Sequence, residues 1–243
     1  MSGFEYDLIV IGTGPAGQRA AIQAAKLRKR VAIVERKTVL GGVCINTGTI
    51  PSKTLREAVL YFSGYRERSI YGASHVGKQN VTLDDLLFRT SHVIRHELDV
   101  TRHQLMRNRV EMISATASFV DPHTVRLQYV DGRGHRDVTA AHVVIATGTH
   151  ATRDGGIPFD DRLIFTSDDI LRLDALPRTL AVVGAGVIGC EYACIFAALG
   201  VRVTIIDKRP RLLSFVDAEI MDALVYHLRQ NRVTLRLGEE VSG

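Results

Sequence analysis

The chain has little cysteine: three residues in 243, an odd number. So few thiols exclude a disulfide scaffold and fit a reducing compartment, here the cytoplasm. It also has no long hydrophobic run. The longest nearly unbroken one, Tyr192 to Val201, is about half of the ~20 residues that a membrane-spanning helix needs, so no membrane partner is expected. Met1 to Asp7 carries acidic residues and no basic stretch, so no secretory leader is visible. No zinc-finger spacing or comparable nucleic-acid signature is present. What remains is ordinary for a soluble globular protein, with 46% hydrophobic and 23% charged residues. The length allows one large domain or two small ones.

What the chain does have is an internal repeat. The apolar run Leu8–Ile11 leads into Gly12-Thr13-Gly14-Pro15-Ala16-Gly17, an alanine-rich helical stretch from Gln18 to Lys29, and a second apolar run, Val31–Val34, that ends in Glu35. The order returns in Leu180–Val183, Gly184-Ala185-Gly186-Val187-Ile188-Gly189, a helix to Leu199, a strand Val201–Ile206, and Asp207. In both copies the acid stands 23 positions after the first glycine, close to the spacing of a dinucleotide-binding βαβ unit. The first glycine makes the strand-to-helix turn, the second lets backbone approach a pyrophosphate, and the third lets helix pack on strand. The helix N-terminus offers unpaired N–H groups and a positive dipole end, and the terminal carboxylate accepts from ribose hydroxyls. Two such units in one chain predict two bound dinucleotides. The net charge of +5 fits that anionic ligand, since the basic groups Lys26–Arg30 and Lys208–Arg211 lie beside the two signatures. No nucleic-acid partner is expected.

Between the repeats, the pattern predicts a glycine-rich loop from Glu35 to Thr49 and a helix Ser52–Phe62, with Pro51 in a first-turn position and Lys53 in the opening turn. A long helix over Val81–Arg109 and β-like runs at Val110–Ile113, His123–Tyr129 and Val143–Ile145 follow. Asp131-Gly132 marks a hairpin, and Thr149–Pro158 a linker. A helix Ala218–Arg229 and a strand Val233–Leu237 close the chain. The fold class is α/β with two Rossmann-like units, divided as residues 1–150 and 151–243. Cys190 and Cys194, and His92 and His96, have helical spacing but no further ligands, so no metal site is expected.

The stretch Gly41-Gly42-Val43-Cys44-Ile45-Asn46-Thr47-Gly48-Thr49-Ile50-Pro51-Ser52-Lys53 resembles the redox segment of the flavoprotein disulfide reductases, in the lipoamide dehydrogenase and glutathione reductase group. There two cysteines five positions apart form a disulfide beside the flavin; here the second position holds Thr49. With Gly186-Val187-Ile188-Gly189-Cys190-Glu191-Tyr192-Ala193 and Arg211-Leu212-Leu213-Ser214-Phe215-Val216-Asp217, the whole chain resembles the transhydrogenase branch of the pyridine nucleotide-disulfide oxidoreductases. The resemblance implies an FAD seat in the first unit. Gly12, Gly14 and Gly17 would hold the pyrophosphate, with Pro15, Arg36 and Gly41 beside them, and Glu35 would hold the ribose. Gly42, Val43 and Cys44 would line the flavin side, Ala117 the adenine end, and Thr147 with Gly148 would close the pocket.

Lys53 corresponds to a lysine near flavin N5 and Glu191 to its partner, a pairing that a buried lysine would need. In the second unit Gly184, Gly186 and Gly189 would seat NAD or NADP(H). Asp207 suits a free 2′-hydroxyl, and Lys208 and Arg209 a 2′-phosphate. The implied activity is FAD-dependent hydride transfer from NADPH to NAD+, alternately at one site, with electrons held on the flavin because Thr49 offers no thiol. The other readings are a dihydrolipoamide dehydrogenase-like reductase that has lost a cysteine, and a nucleotide-binding fragment without catalysis. The resemblance covers about the first half of a family member. It implies a second domain cut short and an absent C-terminal dimerisation domain, the full-length family being homodimeric or larger.

Overall fold

The computed structural model describes residues 3–64, 81–153 and 155–241. The chain forms two compact units: residues 1–51 with 91–150, and residues 52–90 with 151–243. The α/β class with two Rossmann-like units is the architecture that the chain adopts.

In the first unit, β1 (Tyr6–Ile11), α1 (Pro15–Lys26) and β2 (Val31–Glu35) form a βαβ turn. The strands are apolar with buried centres, as strands of a covered parallel sheet must be. β1 lies between β2 and β5 (His135–Ile145), parallel to both, with Ile9 opposite Ala32 on one side and Val143 on the other. β2 pairs in parallel with the start of β3 (Glu111–Asp121). The far half of β3 and the near half of β5 pair antiparallel with β4 (Thr124–Tyr129). The five strands therefore close into a ring in which β3 and β5 each serve a parallel and an antiparallel part. One apolar cluster, with Ile9, Val34, Leu127 and Val138, fills the ring; another, with Val10, Ala21, Ile33 and Leu105, lies under α1.

β3 and β5 run much longer than the short runs read from the sequence. In β3 the inward residues beyond Ile113 are the small Ala115 and Ala117, alternating with outward Ser114, Thr116 and Ser118, so the period of two carries almost no hydrophobic contrast. In β5 the early residues are charged; Asp137 faces Arg126 and takes two 2.8 Å hydrogen bonds from its guanidinium. The hairpin at Asp131-Gly132 is present, with Gly132 at φ +79° and the Arg133 N–H donating to Asp131. α1 starts three residues earlier and ends three earlier than expected. Pro15 occupies its first position, and Arg28, at φ +59°, ends it and turns the chain toward β2.

The expected loop after Glu35 contains a short helix, α2 (Gly42–Asn46). Its five residues are too few to show a period; left-handed Gly41 starts it, and the Asn46 amide holds the Leu40 and Gly42 carbonyls. α3 (Thr49–Ser63) also begins three residues early, which puts Pro51 third and Lys53 fifth, in the second turn. Proline is tolerated through that first turn because its missing N–H has no intrahelical partner there. α4 spans Leu83–Arg107.

The second unit has a three-stranded parallel sheet in the order β6 (Thr179–Val183), β7 (Arg202–Asp207), β8 (Thr234–Leu237). Its helices are α5 (Val187–Ala198), buried almost all round, and α6 (Ala218–Gln230), capped by Asp217. They share a core with part of α3 that includes Leu55, Val59, Ile195, Phe196 and Leu228. Apart from residue 154, which lies outside the described residues, the expected linker is irregular backbone. A 3-10 turn, Ser167–Arg172, follows it, started by a Thr166–Asp169 capping box and tied by Arg153 to Asp169 and Asp161.

Candidate dinucleotide-binding sites

The glycine turn of the first unit packs as its sequence requires. Gly12 sits at φ +107°, and a Cβ there would lie 2.2 Å from the Ala146 carbonyl oxygen. A Cβ on Gly17 would lie 1.9 Å from the Gly12 carbonyl oxygen, so helix and strand touch backbone to backbone. Gly14, by contrast, has open space where a side chain would be. That is the cradle a pyrophosphate needs, set at the N-terminus of α1. Gly42 approaches Gly14 closely, 3.1 Å from a built Cβ to the Gly14 Cα. The structure thus gathers Gly12, Gly14, Gly17, Gly41 and Gly42 at one turn.

Thr13, to which the sequence reading gave no role, organises this cluster. It is 1% exposed. Its hydroxyl donates to Glu35 Oε2 at 2.5 Å and accepts from the Gly41 N–H at 3.0 Å, while its own N–H donates to the same carboxylate oxygen. Glu35 Oε1 takes the Lys37 N–H. A carboxylate has about four lone-pair sites, so among the described residues Glu35 keeps room for one more donor, as a ribose hydroxyl would be. Pro15 opens α1, and Arg36 is exposed after β2.

Cys44 lies in α2 as a half-buried free thiol, next to Val43. Thr49 is the first residue of α3. Thr147 and Gly148 follow β5, exposed, with Gly148 left-handed. Ala117 is farther along β3, in the half that pairs with β4 opposite Leu127.

The second glycine turn repeats the first with changed chemistry. Gly184 sits at φ +108°, Gly186 has open space, and a Cβ on Gly189 would meet the Gly184 carbonyl oxygen at 2.0 Å. Ala185 stands where Thr13 stands in the first unit and brings no hydroxyl. Its N–H donates to Asp207 Oδ2 at 2.6 Å. Arg209 supplies the rest: its backbone N–H and Nε donate to Oδ1, and its Nη2 donates to Oδ2. Four donors thus fill the carboxylate, whose side chain is 5% exposed. The Arg209 guanidinium beside Asp207 and the Ala185 N–H hold that carboxyl far below the usual carboxylate range, against the opposing effect of burial. Lys208 points to solvent.

Lys53 and Glu191 are both the fifth residue of their helices, α3 and α5. The Lys53 ammonium donates to Glu191 Oε1 at 2.5 Å. The Ser52 hydroxyl, buried, donates to the same oxygen at 3.2 Å, a contact the sequence reading missed. The rationale of a buried lysine is corrected here. The lysine side chain is 60% exposed and the glutamate 19%, because a long lysine stem carries its charge outward while the carboxylate stays against the helix.

Residues 6–243 match the family model described as pyridine nucleotide-disulphide oxidoreductase. The chain belongs to that family. Among curated proteins it is 56% identical, over 98% of its own length, to a soluble pyridine nucleotide transhydrogenase of Mycobacterium tuberculosis, and 44% identical to one of Colwellia psychrerythraea. Among solved structures it resembles the HOCl-induced flavoprotein disulfide reductase RclA of Escherichia coli, with a TM-score of 0.80 and 28% identity over 98% of this chain and 50% of that one. The chain spans about half the length, 51%, of the curated relatives it matches. Like this oxidoreductase family as a whole, it is built on nucleotide-binding units. Among the described residues no helix is long and apolar enough to cross a membrane.

Proposed function

We propose that this chain carries the two dinucleotide seats of a flavin-dependent oxidoreductase that exchanges hydride between NADPH and NAD+. One observation carries the reading: two glycine turns, each with its third glycine against the first carbonyl and its acid hydrogen-bonded to the turn N–H. The names of the relatives support the substrates. FAD fits the first unit, with its pyrophosphate over Gly14 and Gly42 and a ribose hydroxyl on Glu35; when bound, it supplies a two-electron acceptor that nicotinamides can both reduce and reoxidise. Val43, Cys44, Ala117, Thr147 and Gly148 belong to that seat. Gly184, Gly186, Gly189 and Lys208 belong to the nicotinamide dinucleotide seat.

The side chains then divide the work. Thr49 has no thiol, so it cannot form a disulfide with Cys44 and no electrons leave through sulfur. Glu191, steadied by the Ser52 hydroxyl, fixes one side of the Lys53 ammonium. With one of its three donors used among the described residues, the ammonium has two for negative charge developing on a reacting dinucleotide. The protein is placed in the cytoplasm, and the whole-length enzyme is assigned as a homodimer or larger. A second reading is dinucleotide binding without turnover, since each glycine turn and its acid are complete within their own unit.

The test is the flavin content of the purified chain and its transfer of hydride from NADPH to a thio-NAD analogue. Copurified FAD with transfer, and no long-wavelength thiolate-to-flavin charge-transfer band on reduction, is the expected result. A stable band of that kind would restore the reductase reading, and a colourless, inactive protein the binding-only reading. Lys53→Met should slow transfer by about 10² to 10³. The same substitution should cost about 1 kcal/mol of stability, since the lysine is largely solvated while the mostly buried Glu191 carboxylate that it leaves keeps the Ser52 hydroxyl as a donor.

A further inference from the structure

The second unit has a groove of its own, away from its glycine turn. Three helices wall it: Val59 and Leu60 of α3, Ile195 and Ala198 of α5, and Leu224 and Leu228 of α6. We propose that this groove is a seat for a small organic carboxylate with an apolar body, its carboxylate held by Arg56. The seat stands apart from the hydride-transfer reading, which its failure would leave untouched.

The lining supplies both halves of that ligand. The six aliphatic side chains offer no hydrogen bond, and the groove holds about 180 Å³. An apolar cavity of roughly 150 Å³ accommodates benzene, so one ring or a short chain carrying a carboxylate fits. The polar lining is Arg56, Cys194, His227 and Asn231, with no carboxylate among the described residues. Arg56 touches Glu57 at 3.4 Å, a long and solvated contact of little strength. Its side chain is 50% exposed, so the guanidinium is free to take a carboxylate through two parallel hydrogen bonds. Glu191 stands one turn before Cys194 on α5, but Lys53 and Ser52 both donate to its Oε1. Desolvation raises the Cys194 thiol above its usual range, with Arg56 opposing the rise, so the thiol is uncharged near neutral pH and does not repel an anion. Arg56 and Cys194 follow Lys53 and Glu191 by three residues each. The seat therefore opens one helical turn further along the two helices that carry the ion pair.

The probes are phenylacetate, its neutral amide phenylacetamide and the cation phenethylamine. The reporter is Cys194, an exposed free thiol, whose alkylation by iodoacetamide is followed by peptide mass spectrometry on the full chain. Phenylacetate should slow that alkylation about fivefold or more at saturation, with half protection near about 1 mM, as suits a ligand of about ten heavy atoms. Cys44, in the first unit, should keep its rate. Phenylacetamide should need roughly tenfold more for the same protection, because a charge-assisted hydrogen bond becomes a neutral one, and phenethylamine should not protect. Rising salt should narrow the gap between acid and amide. Arg56→Gln should erase that gap and keep the amide's protection, while Ala198→Phe should fill the groove and abolish protection by either. Three outcomes overturn the proposal: no protection of wild-type Cys194 by phenylacetate at about 20 mM, equal protection by acid, amide and amine, or equal slowing at Cys44. The wild-type comparison of the three probes decides even where Ala198→Phe folds poorly.

Discussion

At the first glycine turn a threonine stands between the two leading glycines; at the second, an alanine does. The two turns are otherwise alike in backbone, with first glycines at φ +107° and +108° and third glycines packed on the same carbonyl. The single hydroxyl decides who satisfies the acid. In the first unit Thr13 does so and also ties in Gly41, leaving Glu35 partly open. In the second, the missing hydroxyl is replaced by Arg209, reached from two residues beyond the acid, and Asp207 is closed. Identical spacing thus yields an acid that can still accept a donor in one unit and a buried anchor for a cation in the other. The lesson is that the acid of such a unit should be read with the residue after the first glycine, because the two share one hydrogen-bond inventory.

The comparison breaks most severely at the third glycines. Gly17→Val should destabilise the first unit, and Gly189→Val the second, each by about 3 kcal/mol or more, since even a Cβ collides with backbone and backbone cannot move aside cheaply. Flavin retention should fall with the former and nicotinamide coenzyme affinity with the latter; a variant that lost both equally would mean that the seats are not separate.

Next in size are the exchanges at the threonine position. Thr13→Ala removes a donor to Glu35 and the acceptor of the Gly41 N–H, which should cost about 1–3 kcal/mol. Ala185→Thr inserts atoms at a fully buried position where Asp207 has no lone pair left, a similar loss by overpacking. Denaturant midpoints that rose for either exchange would refute the donor count.

The smallest effect is pH dependence. The folded-state pKa of Asp207 is depressed, so its stabilisation is fully present above the unfolded value of about 3.9. It declines as pH drops below that and is gone once pH falls through the folded value. Asp207→Asn should therefore flatten the acid limb of stability below about pH 4, seen in urea midpoints at successive pH values, and leave the slope near neutrality unchanged.

Much of this fold was legible in the residues. The two βαβ units were written in apolar runs, glycines and acids, and the long α4 in its periodicity. What was hidden was hidden for physical reasons. α2 has too few residues to show a period and depends on Gly41 and Asn46 rather than on hydrophobicity. Ala115 and Ala117 line β3 with so little apolar surface that alternation vanished. Thr13 occupies an unspecified place in the glycine pattern, and its role exists only because β2 returns Glu35 beside it. Ser52 stood next to Lys53 in plain view, but its hydroxyl acquires a partner only through Glu191, 139 positions away.

The long strands β3 and β5 give the first unit a property of their own. Each is held at one end by the parallel sheet and at the other by β4, so the two parts share continuous backbone. β5 begins just past the Asp131-Gly132 hairpin and delivers Ala146 onto Gly12 at its other end. One strand thereby links an exposed turn, remote in sequence from the glycine loop, to the residue that walls that loop.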